Sequence, residues 1–504
     1  MSTEAELKWG KHPACQCGGP QAGCLRHEEA IPRRHWLRET GAGFGSLALS
    51  CLLARDGRAS DADDSAASAV RQIIDQQPHF APRAKSVVFL FMYGGPSQVD
   101  LFDPKPELDR WHGKAIPVFR EDDVFMTGKT NANALRSPFR FARHGEAGIE
   151  MCDQYPELAK VADELCVIRS MTAKSNNHGP ALFQMQSGSL LTGHPSIGSW
   201  TTFGLGSECD DLPGFIVMMD HQGAPVNGAL NWSNGFMPAS YQGVPLRTSG
   251  EPIAYVRPPE GISLKRQRSQ LDLLAKWNDD YAKSRPADEE LSARIASYEL
   301  AFRMQTSAPE TVDLSQESAH TQKMYGLDNK VSQHFARNCL LARRLVERGV
   351  RFVQLYSGGN QGPRAWDAHS DLEKNHRLHC AETDRPIAAL LTDLKQRGLL
   401  DTTLVVWGGE FGRTPNTENK NGRDHHPHGF TMWMAGGGIK PGTVYGATDE
   451  FGYHAVEDPV SVPDLHATIL HLLGLNHERL TYHFQGRDYR LTDVEGRVLH
   501  PLLA

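Results

Sequence analysis

An almost unbroken apolar run, Lys85-Ser86-Val87-Val88-Phe89-Leu90-Phe91-Met92-Tyr93, stops abruptly at Gly94-Gly95-Pro96-Ser97. A strand with one wet face alternates apolar and polar residues. A continuous run is buried on both faces, as at the centre of a parallel sheet covered by helices on each side. Similar runs return at Val350–Tyr356 (VRFVQLY) and Thr403–Trp407 (TLVVW), and a glycine pair follows each. Helical patterns precede both, over Phe335–Arg348 and over Ala381–Arg397, where Gly398 supplies the stop. Strands alternating with helices predict an α/β fold around a mostly parallel sheet.

At 504 residues, 39% of them hydrophobic, the chain suffices for one large core carrying an insertion. Charged helical patterns such as Leu271–Ser284 and Glu289–Gln305 place a helical insertion at about residues 246–334. Near the C-terminus, Val462-Pro463-Asp464-Leu465 opens a last helix that ends before Gly474. The net charge of -7 argues against a nucleic-acid or anionic-membrane partner. No run reaches the ~18–20 apolar residues of a spanning helix. Of nine cysteines, four lie before residue 52 and the rest are scattered, which is no disulfide framework. Arg33-Arg34-His35-Trp36-Leu37 and the weakly apolar Gly41–Ala54 resemble a twin-arginine export signal. The expected organisation is an export region over 1–54, a linker over 55–82 and a folded domain over 83–504, delivered to the periplasm or cell envelope.

Open α/β sheets place their sites at the carboxyl ends of the strands, and three such ends carry chemical groups. Asp367 and His369 follow the strand at 350–356, and Glu410 follows the one at 403–407. Asp424, His425, His426 and His428 come after a polar loop. Aspartate, glutamate and histidine without cysteine suit zinc, calcium or manganese. The same set without a metal is a hydrogen-bonded acid/base network. Ser175, Asn177 and His178 sit at a predicted helix start, as catalytic groups or as simple caps. The turn Gly94-Gly95-Pro96-Ser97 offers the amides of Gly94, Gly95 and Ser97 to an anion, or is only a tight turn. Asp100 and Asp103 follow it as a possible first corner of the site.

The order of these motifs resembles the sulfatase and alkaline-phosphatase superfamily, and more closely a sulfatase-like bacterial branch with twin-arginine leaders. Leu191-Thr192-Gly193 is similar to the segment after the nucleophile helix of sulfatases. Arg385–Gly412 resembles the helix and strand leading to the superfamily's Asp-His-Gly metal motif, and Val462–Leu475 its C-terminal helix. The branch is indicated by Gly94-Gly95-Pro96-Ser97, Asn177-His178-Gly179-Pro180, Gly409–Pro415 and Tyr445–Asp449. The resemblance implies an alkaline-phosphatase-like three-layer sandwich and a metal-dependent hydrolase of small or glycan-linked sulfate or phosphate esters. It carries Asp367, His369, Glu410 and His428 onto metal-ligand positions; with the strand-end reading, the expected metal ligands are Asp367, His369, Glu410, His426 and His428, and the expected catalytic groups Ser175, Asn177 and His178. Three departures stand out. Phe411 replaces a ligand histidine, Gly94 or Gly95 falls where the first-strand aspartate belongs, and no Cys-x-Pro-x-Arg or Ser-x-Pro-x-Arg precedes Thr192. With that nucleophile missing, Ser175, Thr172 or a water would attack; the alternative is a catalytically reduced binding or assembly protein.

Overall fold

The run after Lys85 forms β1 (Ser86–Met92), buried at every position. Val88, Leu90 and Met92 enter one core, while Val87, Phe89 and Phe91 enter another. The two-residue period of a strand thus divides an unbroken apolar sequence between two faces. Each such side chain contributes roughly 1.5–3 kcal/mol by leaving water. The computed structural model describes residues 77–117, 133–247, 261–283, 289–360 and 362–504, all within the unit Ala59–Ala504. The twin-arginine motif, the cysteines before residue 52 and linker residues 55–76 lie outside the described residues.

Among the described residues, β1 belongs to a nine-stranded sheet. The others are β2 (Leu165–Thr172), β3 (Phe215–Met218), β4 (Val244–Pro245), β5 (Phe352–Ser357), β6 (Thr403–Gly408), β7 (Phe430–Ala435), β8 (Thr443–Tyr445) and β9 (Val460–Ser461). Their order is β8-β2-β7-β6-β1-β5-β3-β4, with β9 also paired to β2. Every pairing is parallel except those of β7, which runs antiparallel to β6 and β2. Across the β6/β7 pair, Trp407 stacks on Trp433 at 5.9 Å with the rings nearly parallel.

Helices cover both faces of this mixed α/β sheet. Among the described residues the helices of nine or more residues are, in chain order, α1 (His178–Ser187), α2 (Ile197–Leu205), α3 (Leu264–Lys283), α4 (Glu289–Val312), α5 (Gln333–Glu347), α6 (Leu372–Gln396) and α7 (Val462–Leu472). Residues of α5 and α6 pack into the core that takes Val88, and residues of α1, α2 and α7 into the core that takes Phe89. Helix α7 begins with a reciprocal capping box between Ser461 and Asp464, with proline in its first turn.

Helix α6 starts nine residues before the expected Ala381. Its first half, LEKNHRLHC, buries Leu372, Asn375, His376, His379 and Cys380. Its inward face is therefore largely polar, and a search for apolar periodicity passes over it.

A histidine between layers gives the fold a pH dependence. His466 of α7 is fully buried, donates Nε2–H to the Met185 carbonyl at 2.9 Å, and leaves Nδ1 without a partner. Burial lowers its pKa to about 4. The folded state then binds fewer protons than the unfolded chain, so stability is present above pH ~6.5 and is lost as pH falls towards 4. Between pH 7.5 and 5 this loss should be about 2 kcal/mol. Urea denaturation at the two pH values should show it, and His466→Gln should flatten it. An unchanged pH dependence in that variant would refute the assignment.

Candidate active site

The turn after β1 brings three strand ends together. Gly94 and Gly95 have φ of +113° and +81°. A Cβ on Gly94 would lie 2.7 Å from the backbone nitrogens of Trp366 and Asp367, and one on Gly95 would lie 2.7 Å from the Phe411 ring. The glycines are thus required for close approach as well as for conformation. Their neighbourhood is already hydrogen-bonded. Gly94 N–H donates to both Glu410 oxygens, at 3.0 and 3.2 Å, and Ser97 N–H donates to His376 Nε2 at 3.0 Å. Burial depresses the His376 pKa to about 3, which keeps that nitrogen an acceptor. The Ser97 hydroxyl donates to Asp100. The amides of Gly94 and Ser97, expected to hold an anion, therefore have protein acceptors.

Two buried arginines fix this corner. Arg423 pairs with Asp100 through Nε at 2.7 Å and Nη2 at 3.1 Å, both side chains being wholly buried. It also donates to the carbonyls of Thr414, Pro415 and Leu135. Arg413 donates to the carbonyls of Gly94, Gly95 and Arg423 and to Asp367 Oδ1 at 2.6 Å. Asp100 is thus committed to Arg423. Asp103 meets Lys105 at 3.0 Å and Arg169 at 3.7 Å.

Asp367, in the loop after β5, is the centre of a histidine cluster. Its Oδ1 lies 2.9 Å from His369 Nε2, 3.1 Å from His425 Nε2 and 3.3 Å from His178 Nε2. His369 Nε2 and His425 Nε2 are 2.9 Å apart. On the other side of each ring, Nδ1 of His178 meets Glu410 at 2.6 Å and Nδ1 of His369 meets Glu418 at 2.5 Å. Nδ1 of His425 meets the Asn176 carbonyl at 2.7 Å. Glu410, at the carboxyl end of β6, is fully buried.

The charges are strongly coupled. Burial raises the Asp367 carboxyl, but the three imidazoles and Arg413 outweigh it and hold the group well below the usual carboxylate range. Burial opposes a charge on His178, and the two carboxylates it faces, Asp367 and Glu410, more than offset it, raising its pKa to about 9. Asp367 likewise raises His369. His425 goes the other way, to about 4, through burial and the charges of Arg413 and His178.

Of the residues singled out in the sequence, Asp367, His369, His178, Glu410 and His425 meet here. His426 and His428 are placed elsewhere. His426 is buried with Nε2 on the Tyr453 carbonyl, and its ring lies 5.4 Å from that of His428, which is 5.9 Å from His454. Ser175 is tied to its own turn, its Oγ accepting from Asn177 N–H at 3.1 Å. Asn177 caps α1 by accepting from Gly179 N–H at 3.2 Å. The Thr172 hydroxyl donates to the Val460 carbonyl.

Sequence reading named His425 within the histidine run but set His426 and His428, not His425, among the metal ligands, and it passed over Glu418. His425 and His426 pair with Arg413 and Gly412 in a short antiparallel ribbon. Neighbours in extended chain face opposite sides, so when His425 meets the cluster, His426 turns inward. That alternation was the available signal for His425. Glu418 carries none, because it sits in an irregular loop.

The donor set fits a metal. Imidazole nitrogens and a carboxylate oxygen from His178, Asp367 and His425 all lie within 4.8 Å of one another, and so do those from His369, Asp424 and His425. His178 Nε2 is buried without a hydrogen-bond partner, close to Asp367. Separations of 2.9–3.3 Å around Asp367 approach the ~3.3 Å edge of a tetrahedron with bonds of about 2.0–2.1 Å.

The model of a family described as "Protein of unknown function (DUF1501)" matches residues 84–503. A search of curated proteins found no match. Among solved structures, the chain is similar to the phosphonate monoester hydrolase SpPMH from Silicibacter pomeroyi, with 14% identity, 69% of this chain and 71% of that one covered, and a TM-score of 0.35. It is similar to the PsFucS1 sulfatase from Pseudoalteromonas sp., with 13% identity, 83% and 73% coverage and a TM-score of 0.33. For an alkaline phosphatase from the Antarctic bacterium TAB5 the values are 10%, 79% and 100%, and 0.33.

The buried Arg423–Asp100 pair gives a test of how the corner is held. Asp100→Ala strands a guanidinium in the interior and should cost about 3–5 kcal/mol. Thermal denaturation checks this, and a loss below about 1 kcal/mol, typical of an exposed pair, would refute it.

Proposed function

This chain belongs to the DUF1501 family, and we propose that it is an exported, metal-dependent hydrolase of sulfate or phosphate esters. One observation carries the metal dependence: three imidazole Nε2 atoms converge within 3.3 Å of one oxygen of Asp367. The ester class is supported by the motif resemblance to sulfatases and alkaline phosphatases, from Leu191-Thr192-Gly193 to Val462–Leu475. Export is supported by Arg33-Arg34 and the weakly apolar stretch after it. No helix among the described residues is long and apolar enough to cross a membrane.

His178, Asp367, His369 and His425 would hold the metal. Bound there, it supplies Lewis-acid charge to the ester oxygens and acidifies an attacking water. The protein's own groups do the rest. Arg413 keeps Asp367 ionised, and Glu410 holds His178 at the start of α1. The hydroxyls of Ser175 and Thr172 are hydrogen-bonded elsewhere, which favours water over a side chain as the nucleophile. Water then adds to phosphorus or sulfur, and the alcohol departs with a proton. The substrate is a small or glycan-linked ester.

A second reading is a binding or assembly protein of the cell envelope that has lost catalysis. It draws on Phe411, whose ring lies 4.9 Å from His178 and 4.5 Å from His425 where the resemblance expects a histidine ligand.

Metal analysis of the purified full chain, with a screen of aryl sulfates and phosphates, separates the two. The hydrolase should contain metal and cleave at least one ester class. His425→Ala should lose more activity than the roughly 10- to 100-fold typical of an outer-shell partner. A metal-free, inactive wild type defeats the proposal. Tight ligand binding that survives His425→Ala supports the second reading.

A further inference from the structure

Each imidazole of the cluster is anchored through Nδ1 and turns Nε2 toward Asp367. His425 Nδ1 lies 2.7 Å from the Asn176 carbonyl oxygen, which can only accept, so the proton between them belongs to Nδ1. Glu410 and Glu418 offer the same kind of acceptor to Nδ1 of His178 and His369. An imidazole with its proton on Nδ1 presents a lone pair at Nε2. With a metal bound, three such lone pairs would converge beside one Asp367 oxygen, two of the nitrogens lying only 2.9 Å apart. A cation set among them would take all three lone pairs at once.

Building on the metal-dependent reading above, we propose that His178, His369, His425 and Asp367 form a three-histidine, one-carboxylate centre for zinc, with Glu410 and Glu418 as positioning residues. This departs from the resemblance, which makes Glu410 a ligand. Glu410 is fully buried, takes Gly94 N–H on both oxygens and His178 Nδ1 on one, and belongs to neither of the convergent donor groups among the described residues. Asp424, which groups with His369 and His425, already gives Oδ1 to the His425 amide at 2.8 Å. Calcium takes six to eight oxygen ligands, whereas three nitrogens and one oxygen suit zinc. The carboxylate behind a ligand histidine fixes its tautomer and orientation.

The test uses the full chain stripped with chelator and reloaded with zinc, calcium or manganese. Stoichiometry comes from elemental analysis, affinity from competition with a chromophoric chelator, and ligand geometry from the visible spectrum of the cobalt form. One zinc per chain is expected, bound tighter than calcium, with a four-coordinate cobalt spectrum. Glu418→Gln and Glu410→Gln should keep that stoichiometry and bind zinc about 10- to 100-fold more weakly. Glu418→Ala should be weaker than Glu418→Gln, and Asp367→Asn and His425→Ala should lose the site. Calcium binding tighter than zinc, or loss of zinc in Glu410→Gln as complete as in Asp367→Asn, overturns the proposal. If Glu410→Gln does not fold by circular dichroism, Glu418→Gln decides, and wild-type affinity there overturns it. Zinc bound in the expected pattern without ester hydrolysis refutes the hydrolase reading alone. Hydrolysis supported by calcium but not zinc refutes this inference alone.

Discussion

Two guanidinium groups with no solvent exposure, Arg413 and Arg423, hold the carboxyl end of the sheet together. A buried charge is tolerated only when it is paired and its hydrogen-bonding capacity is used. Here that requirement draws in acceptors from chain segments more than 250 residues apart. Arg423 binds Asp100 behind the β1 turn and the carbonyl of Leu135, while Arg413 binds the carbonyls of Gly94 and Gly95 and the carboxylate of Asp367. The turn after β1, the loop after β5 and the ribbon after β6 are therefore positioned by one electrostatic condition.

The same condition shapes the site. Arg413 and the imidazoles keep Asp367 anionic despite its burial. That anion is the common point on which His178, His369 and His425 converge, each from a different element. His178 begins α1, His369 follows β5, and His425 lies in the ribbon. Because Nδ1 of each ring is held from behind, the rings are oriented whether or not anything lies between them.

The sequence made the layered sheet legible where apolar runs were continuous. β1 and β6 are buried on both faces, and their composition alone says so. It was less informative for β7, because FTMWMA reads the same in either strand direction. It misplaced the start of α6, whose early inward face carries histidine and asparagine. Asp367, His369, Glu410 and His178 follow strand ends or open a helix, so local pattern drew attention to them. The glycine turn looked like an anion cradle, but the acceptors that occupy its amides, Glu410 and His376, are 316 and 279 residues away. No local pattern reports such partners.

Phe411 links these observations. It follows Glu410 at the end of β6, is fully buried, and its ring lies so near Gly95 that any Cβ there would clash. It also contacts the rings of His178 and His425. An apolar ring at this position cannot donate to a metal, but it excludes water from one side of the cluster and limits the freedom of two imidazoles. The nitrogen missing from the strand end has a counterpart in the neighbouring ribbon, where His425 pairs with Arg413, two residues beyond Phe411. Strand alternation allows only one of His425 and His426 to serve, and the pairing register selects His425. Phe411 is therefore compatible with a complete donor set: it forms a wall of the site while the ribbon contributes a nitrogen.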